Sequence, residues 1–253
     1  MPTSNPILIS VVQYDADLKS GAMSLTGVAQ RAQQLGADGV EYRDGYWREK
    51  DAELPALRQA LRDLNLTATY ATMATLFNTD QAGAAQLSQD IADAAALGSP
   101  LLRVFLGELP QGESDPAWAG ARRAVEEAAS QGIVLALENF ARAPGCRVAE
   151  IARALAAIDT PTLQTNVDIG NYALNDEDIP AAIRQFGRRV VSSHLKDNAG
   201  TDATYLGGGS LPLPAILDAF DRLPQQVMHC FEFGGGDDPD GRIAASLAYL
   251  RQR

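Results

Sequence analysis

Gly132-Ile133-Val134-Leu135-Ala136-Leu137-Glu138-Asn139 decides how this chain is read. Ahead of it, Ala117–Ser130 carries apolar residues at helical spacing, and Gly132 supplies the left-handed stop that ends a helix. The run Ile133–Leu137 is short and continuously apolar, as a strand covered on both faces must be. It ends on a carboxylate, Glu138. Behind it lies a second helix candidate, Val148–Ile158, with Ile151, Leu155 and Ile158 on one face.

The same unit recurs in both directions along the chain. Strand candidates are Ile7–Tyr14, Gly39–Arg43, Leu66–Met73, Leu101–Gly107, Ile133–Phe140, Leu163–Ile169, Val190–Lys196 and Val227–Phe233. Many hold Val, Ile, Thr or Tyr, which suit a pleated sheet. Between them fall helix candidates Thr26–Leu35, Leu54–Leu64, Ala84–Leu97, Ala117–Ser130, Val148–Ile158, Ile179–Arg188 and Leu213–Leu223, with Arg242–Arg251 last. Gly36 and Gly98 repeat the stop signal of Gly132. One strand and one helix per roughly 30 residues is the length of a parallel βα unit. About eight units in 253 residues predict an α/β fold, a (β/α)8 TIM barrel with one domain over 1–253. The competitor is an open doubly wound sheet. It expects a glycine-rich phosphate turn after an early strand, and none follows Ile7–Tyr14.

Composition narrows the setting. Hydrophobic residues make up 46% and charged residues 21%, an ordinary globular profile. Thirty-two acidic against 21 basic residues give a formal net charge of -11. That balance repels phosphate backbones and anionic lipid, so neither nucleic acid nor a membrane is an expected partner. Met1–Pro6 has no basic residue to open a secretory signal, and no apolar run is long enough to cross a bilayer. Cys146 and Cys230 offer no disulfide framework or zinc-finger spacing. A cytoplasmic setting is expected. A homo-oligomer is compatible with this reading.

Four polar residues stand near the ends of successive strands: Glu138, Asp168, His194 and Glu232. Side chains alternate between faces along a strand. Glu138 therefore shares a face with Val134 and Ala136, Asp168 with Asn166, His194 with Ser192 and Lys196, and Glu232 with Met228 and Cys230. The opposite faces, with Leu135, Leu137, Val167, Val191, Leu195, Phe231 and Phe233, read as helix-packing. The polar set points inward at the end of a barrel where active sites form. Buried carboxylates are costly unless neutralised, and one shared divalent metal ion is the simplest neutraliser. Three carboxylates and one imidazole are a hard donor set, suiting Mn²⁺, Mg²⁺ or Co²⁺ in six-coordinate geometry; Zn²⁺ is also accommodated. Such an ion polarises a substrate carbonyl, and a neighbouring Glu removes the adjacent proton. Each residue alone has a plainer reading: an ion-paired Glu, a turn Asp, a core His, a loop-capping Glu.

Around this set, Arg103 shares a face with Phe105 and suits a substrate oxygen, or pairs with a neighbouring strand's Glu such as Glu41. Lys196 suits a substrate oxygen or proton donation, or a bridge to a ligand carboxylate. Glu41 and Arg43 share a face and are expected to pair. Tyr70 and Trp47 are expected to wall a sugar face or to pack in the core. Asp197 is expected to orient loops. His229 has helix-facing parity, and Cys230 lacks a basic partner that would activate it.

Leu137-Glu138-Asn139, Asp168-Ile169-Gly170-Asn171, His194-Leu195-Lys196-Asp197 and Phe231-Glu232-Phe233 together resemble the xylose isomerase-like TIM-barrel family of sugar isomerases, epimerases and related enzymes. Leu206-Gly207-Gly208-Gly209-Ser210-Leu211 is similar to that family's turn before the seventh helix, and Gly39–Arg43 to its second strand. The resemblance implies that Glu138, Asp168, His194 and Glu232 bind the metal, and that Glu138 and Glu232 are the acid and base. It implies a metal-dependent sugar isomerase or epimerase acting on a small ketose or related hydroxy-ketone derived from a sugar or polyol. Arg103, Lys196, Asn171 and Tyr70 are then the substrate-binding candidates. Asn171, Gly200 and Pro144 depart from the His, Arg and Glu that many family epimerases carry there. Family dehydratases often have a strand-four Arg and a Lys two residues past the His ligand, as Arg103 and Lys196 do. The alternative is therefore a metal-dependent dehydratase of a keto-cyclitol or keto-acid.

Overall fold

The computed structural model describes residues 5–77, 80–112, 114–141 and 143–252. The stretch 1–4, used above in judging a leader, lies outside the described residues. The strands are β1 (Ile7–Ser10), β2 (Gly39–Arg43), β3 (Thr67–Phe77), β4 (Leu101–Gly107), β5 (Val134–Glu138), β6 (Leu163–Asp168), β7 (Val190–Leu195), β8 (Asp197–Ala199), β9 (Asp202–Thr204) and β10 (Met228–Phe231). The helices are α1 (Asp15–Ser20), α2 (Leu25–Leu35), α3 (Lys50–Asp63), α4 (Gln81–Leu97), α5 (Pro116–Ser130), α6 (Val148–Ala157), α7 (Ile169–Leu174), α8 (Ile179–Phe186), α9 (Leu213–Asp221) and α10 (Pro239–Arg251). The strands close a barrel in the order β1-β10-β7-β6-β5-β4-β3-β2, every neighbouring pair parallel. This is the (β/α)8 barrel expected from the repeating unit.

Alternation along each strand sorts the core. Tyr42, Tyr70, Leu102, Leu135, Val167, Leu195 and Phe231 are buried in the apolar layer between barrel and helices. Ile151, Leu155 and Ile158 of the α6 region are buried in the same layer, each contributing about 1.5–3 kcal/mol by leaving water. The lumen side is more polar. Register pairs run Ser10 with Glu41, Glu41 with Thr69, Ala71 with Arg103, Phe105 with Glu138, Glu138 with Asn166, Asp168 with His194, and His194 with Cys230. Gly98, expected as a helix stop, caps α4 at φ +86.

The elements differ from expectation where side chains intervene. The first strand ends at Ser10, because Ser10 and Gln13 form a reciprocal cap that turns Val11–Tyr14 into a 3₁₀ turn. β3 continues past Met73 to Phe77, with a register shift between Ala71 and Thr75. Asp168 ends β6 and at once starts α7, accepting from the Asn171 amide. β8 and β9 form an antiparallel hairpin after His194. Buried Asp197 fastens that hairpin to the glycine turn, accepting from the amides of Gly207, Gly209 and Leu211 at 3.2, 3.0 and 2.9 Å. A Cβ on Gly209 would stand 2.4 Å from the Asn198 carbonyl oxygen, so the turn needs glycine there. Among the described residues, no helix is long and apolar enough to cross a membrane.

Candidate active site

The ends of β5, β6 and β7 and the residue after β10 bring Glu138, Asp168, His194 and Glu232 together. One ligand atom of each lies within 4.8 Å of the others. His194 Nδ1 stands 3.0 Å from Glu138 Oε2, 3.2 Å from Glu232 Oε2 and 3.7 Å from Asp168 Oδ2. Glu138, Asp168 and His194 are buried, while the Glu232 side chain keeps 12% of its surface open.

The far side of the imidazole fixes its orientation. His194 Nε2 lies 2.7 Å from Glu41 Oε2. A carboxylate only accepts, so Nε2 carries the proton and donates. In the neutral ring, the Nδ1 lone pair then faces three carboxylates. That arrangement requires a cation among them or a second proton on the ring. His194 Nδ1 and Asp168 Oδ2 are both buried and without an aligned hydrogen bond. Asp168 Oδ2 is held by the Lys196 ammonium at 2.8 Å, whereas the Nδ1 lone pair aims into a hard oxygen-rich set, an arrangement that fits a divalent cation.

Three basic side chains close the ring of charge. Arg103 Nε is 2.9 Å from Glu138 Oε2, and its Nη1 donates to the Thr72 carbonyl at 2.5 Å. Lys196 Nζ reaches Asp168 Oδ2 at 2.8 Å and Glu232 Oε2 at 2.5 Å. Arg43 bridges Glu41, at 3.0 Å, and Glu232. Four carboxylates, Glu41, Glu138, Asp168 and Glu232, thus meet three fixed cations, and a second proton on His194 or a bound cation balances the fourth. Burial alone would raise the Glu138 carboxyl, but Arg103 and His194 hold it below its ordinary range. Burial likewise opposes ionisation of Glu232, and His194, Lys196 and Arg43 hold it well below. At Glu41 the desolvation cost is again exceeded, here by His194, Arg43 and Arg103, and the carboxyl is lowered to about 2. At Asp168 burial prevails over Lys196 and raises the carboxyl. His194 is raised well above its usual value, since Glu232, Glu41 and Glu138 outweigh its burial.

The other candidates divide. Asn171 joins the cluster, its Nδ2 donating to Glu138 Oε1 at 3.4 Å. Arg103 pairs with Glu138 rather than Glu41, and Glu41 with Arg43 as expected. Tyr70 is a correction: it is fully buried on the helix-facing side of β3, beside Tyr42 and Leu102, and its hydroxyl accepts from Trp47 Nε1 at 2.9 Å. It does not wall the lumen. His229 faces the helices, within 2.7 Å of Ser193 Oγ and edge-on to Phe220. Sequence reading missed two features. Glu41 orients His194, although the inward parity of Glu41 was legible. Asn139 clasps β6 by exchanging two 2.9 Å bonds with the backbone of Asp168.

A family model described as the xylose isomerase-like TIM barrel matches residues 29–253. The chain belongs to that family. Among curated proteins, a candidate hydroxypyruvate isomerase of Streptomyces coelicolor is 28% identical over 128 residues, 47% of this chain and 44% of that protein. The chain thus spans less than half the length of the curated relative it matches. Among solved structures, the candidate 3-DHS dehydratase AsbF of petrobactin synthesis in Bacillus anthracis superposes with a TM-score of 0.82 at 16% identity, over 98% of this chain and 99% of that one. A D-allulose 3-epimerase from Methylomonas sp., in complex with D-allulose, superposes with a TM-score of 0.76 at 17% identity, over 100% and 98%. At these identities the superpositions establish the shared fold of the xylose isomerase-like barrels.

Proposed function

We propose that the chain is a divalent-metal-dependent sugar isomerase or epimerase that acts on a small ketose or related hydroxy-ketone. The observation that carries this reading is the convergence of three carboxylates on the unsatisfied Nδ1 of His194. Glu138, Asp168, His194 and Glu232 would hold the ion, which when bound supplies Lewis-acid polarisation of a substrate carbonyl. The relatives support the class: a candidate hydroxypyruvate isomerase in sequence and a D-allulose 3-epimerase in fold.

The chain's own groups supply the rest. Arg103 keeps Glu138 ionised, and Lys196 and Arg43 keep Glu232 ionised, so both are ready bases at neutral pH. One takes a proton from the carbon beside the carbonyl. In an epimerase the other returns a proton on the opposite face. Lys196 keeps its charge between Asp168 and Glu232, which raise it against burial, and it donates a hydrogen bond to a substrate oxygen. Asn171 and Arg103 hold Glu138 from two sides.

A second reading has an observation of its own. Lys196 is a buried ammonium inside the lumen, placed to protonate a departing hydroxyl. The same proton abstraction then ends in dehydration of a keto-cyclitol or keto-acid, and the dehydratase AsbF shares the fold. A substrate panel with Mn²⁺-supplemented and chelated protein separates these readings. Turnover that needs metal and is lost in Glu232→Gln supports the first. Growth of a conjugated-enone absorbance assigns the second. Sugar turnover that survives exhaustive chelation overturns both.

A further inference from the structure

Met73 and Phe140 are the exposed large hydrophobic side chains of the described residues, at 68% and 43% exposure. Both line one pocket of about 360 Å³, together with Phe77, Phe105 and Pro144 and the carboxylates Asp80 and Glu108. Exposed apolar side chains scattered singly need no explanation, but two that share a concavity do. This concavity adjoins the carboxylate cluster. Phe105 is the register partner of Glu138, and Phe140 follows Glu138 by two residues. The two rings stack at 4.9 Å between centroids with 27° between planes. The Arg103 guanidinium lies 4.4 Å from the Phe105 centroid while its Nε contacts Glu138 at 2.9 Å. The aromatic pair is thereby tied to the group that would move the proton. Across the mouth, Lys196, Arg43, Asp168 and Glu232 stand on the β6–β10 and β2 side, the Arg103–Glu138 pair lies on β4 and β5, and Phe105, Phe140 and Met73 form a shelf over β3 to β5.

We propose that the shelf of Phe105, Phe140 and Met73 is the site's second recognition element, and that the substrate is a hydroxy-ketone bearing a ring or aryl group that stacks there. This rests on the isomerase reading above and names its substrate class. A three-carbon hydroxy-ketone leaves the shelf in water. A pocket of this size, added to the polar end, is filled by a ring. Stacked rings gain from their edge and face charges beyond the area they cover, and Met73 adapts to the shape of the ring.

Glycolate and mandelate test it, because they share an α-hydroxycarboxylate head and differ by a phenyl ring. Titration calorimetry on Mn²⁺-loaded protein is expected to show mandelate binding at least about tenfold tighter. Phe140→Ala is expected to bring that ratio towards one, and Phe140→Tyr to preserve it. If both acids bind the native protein equally, the shelf proposal is overturned and the carboxylate site stands. If neither binds while Mn²⁺ itself titrates into the protein, the shelf proposal is overturned and the isomerase reading is judged by its own metal-dependent turnover. If the ratio is one and Phe140→Asp splits an oligomer in sedimentation, the patch is a subunit contact and the proposal is overturned.

Discussion

Two acidic clusters in this barrel meet the same distance test and differ in what their own chain does with them. At the mouth, Glu138, Asp168 and Glu232 surround His194 and leave Nδ1 and Asp168 Oδ2 without an aligned hydrogen bond. Outside β3, Asp44, Asp90 and Asp93 also bring oxygens within 4.8 Å of one another. There Lys50 reaches Asp44 and Asp93 at 3.0 and 2.6 Å, Thr72 and Gln86 donate to Asp90, and Gln89 donates to Asp93. In the outer cluster one lysine and three neutral donors engage the carboxylate oxygens and tie the start of α3 to α4. Proximity of acids therefore does not identify a cation site; an imidazole lone pair aimed among them does.

The largest expected difference is in metal content. Asp168→Asn should weaken Mn²⁺ binding by more than about a hundredfold, beyond the loss of an outer partner, while Asp93→Asn should leave it unchanged. Elemental analysis and calorimetric titration read both, and metal loss in Asp93→Asn would reverse the contrast. Next comes Glu41→Leu, which frees His194 Nε2 and should weaken the metal by about 10–100-fold. Glu41→Gln keeps an acceptor for Nε2 and should lose less; equal losses in the two variants would deny the orienting role. Lys50→Met should act on stability alone, by about 1–3 kcal/mol, because it strands two carboxylates. In thermal unfolding that is roughly 2–4 °C per kcal/mol, with Mn²⁺ affinity unmoved.

The smallest effect carries a pH signature. Burial raises the Asp90 carboxyl against the bonds from Thr72 and Gln86. A folded-state value above the unfolded one means that stability is complete below the unfolded pKa and declines as pH rises through the folded one. Asp90→Asn should therefore unfold slightly higher than the parent at pH 7. The gain should shrink as pH falls towards the ordinary aspartate range and vanish below it. A gain independent of pH would show that ionisation is not its source.

Much of this was legible because parallel strands under helices carry a simple code. Ile133–Leu137 fixed a strand, and counting faces from it placed Glu138 inward; the same count placed Asp168, His194 and Glu232. Tyr70 was left open between a sugar wall and core packing; its register with Tyr42, one residue past the Glu41–Thr69 pair, puts it on the helix side. Val11–Tyr14 looked like strand because its residues are β-prone, but the Ser10–Gln13 cap prevailed over propensity. Arg103 was placed on the lumen face, yet its choice of Glu138 over Glu41 depends on barrel stagger. The Phe105–Phe140 stack was invisible for the same reason, since register between neighbouring strands is not written in either strand alone.

One side chain joins the mouth to the surface. Asp168 offers Oδ2 to the lumen and Oδ1 to the Asn171 amide at 2.8 Å, in the first turn of α7. Whatever engages that carboxylate also tightens or loosens the start of a helix. The exchange rate of the Asn171 amide hydrogen is thus a built-in gauge of occupancy, readable without knowing the substrate.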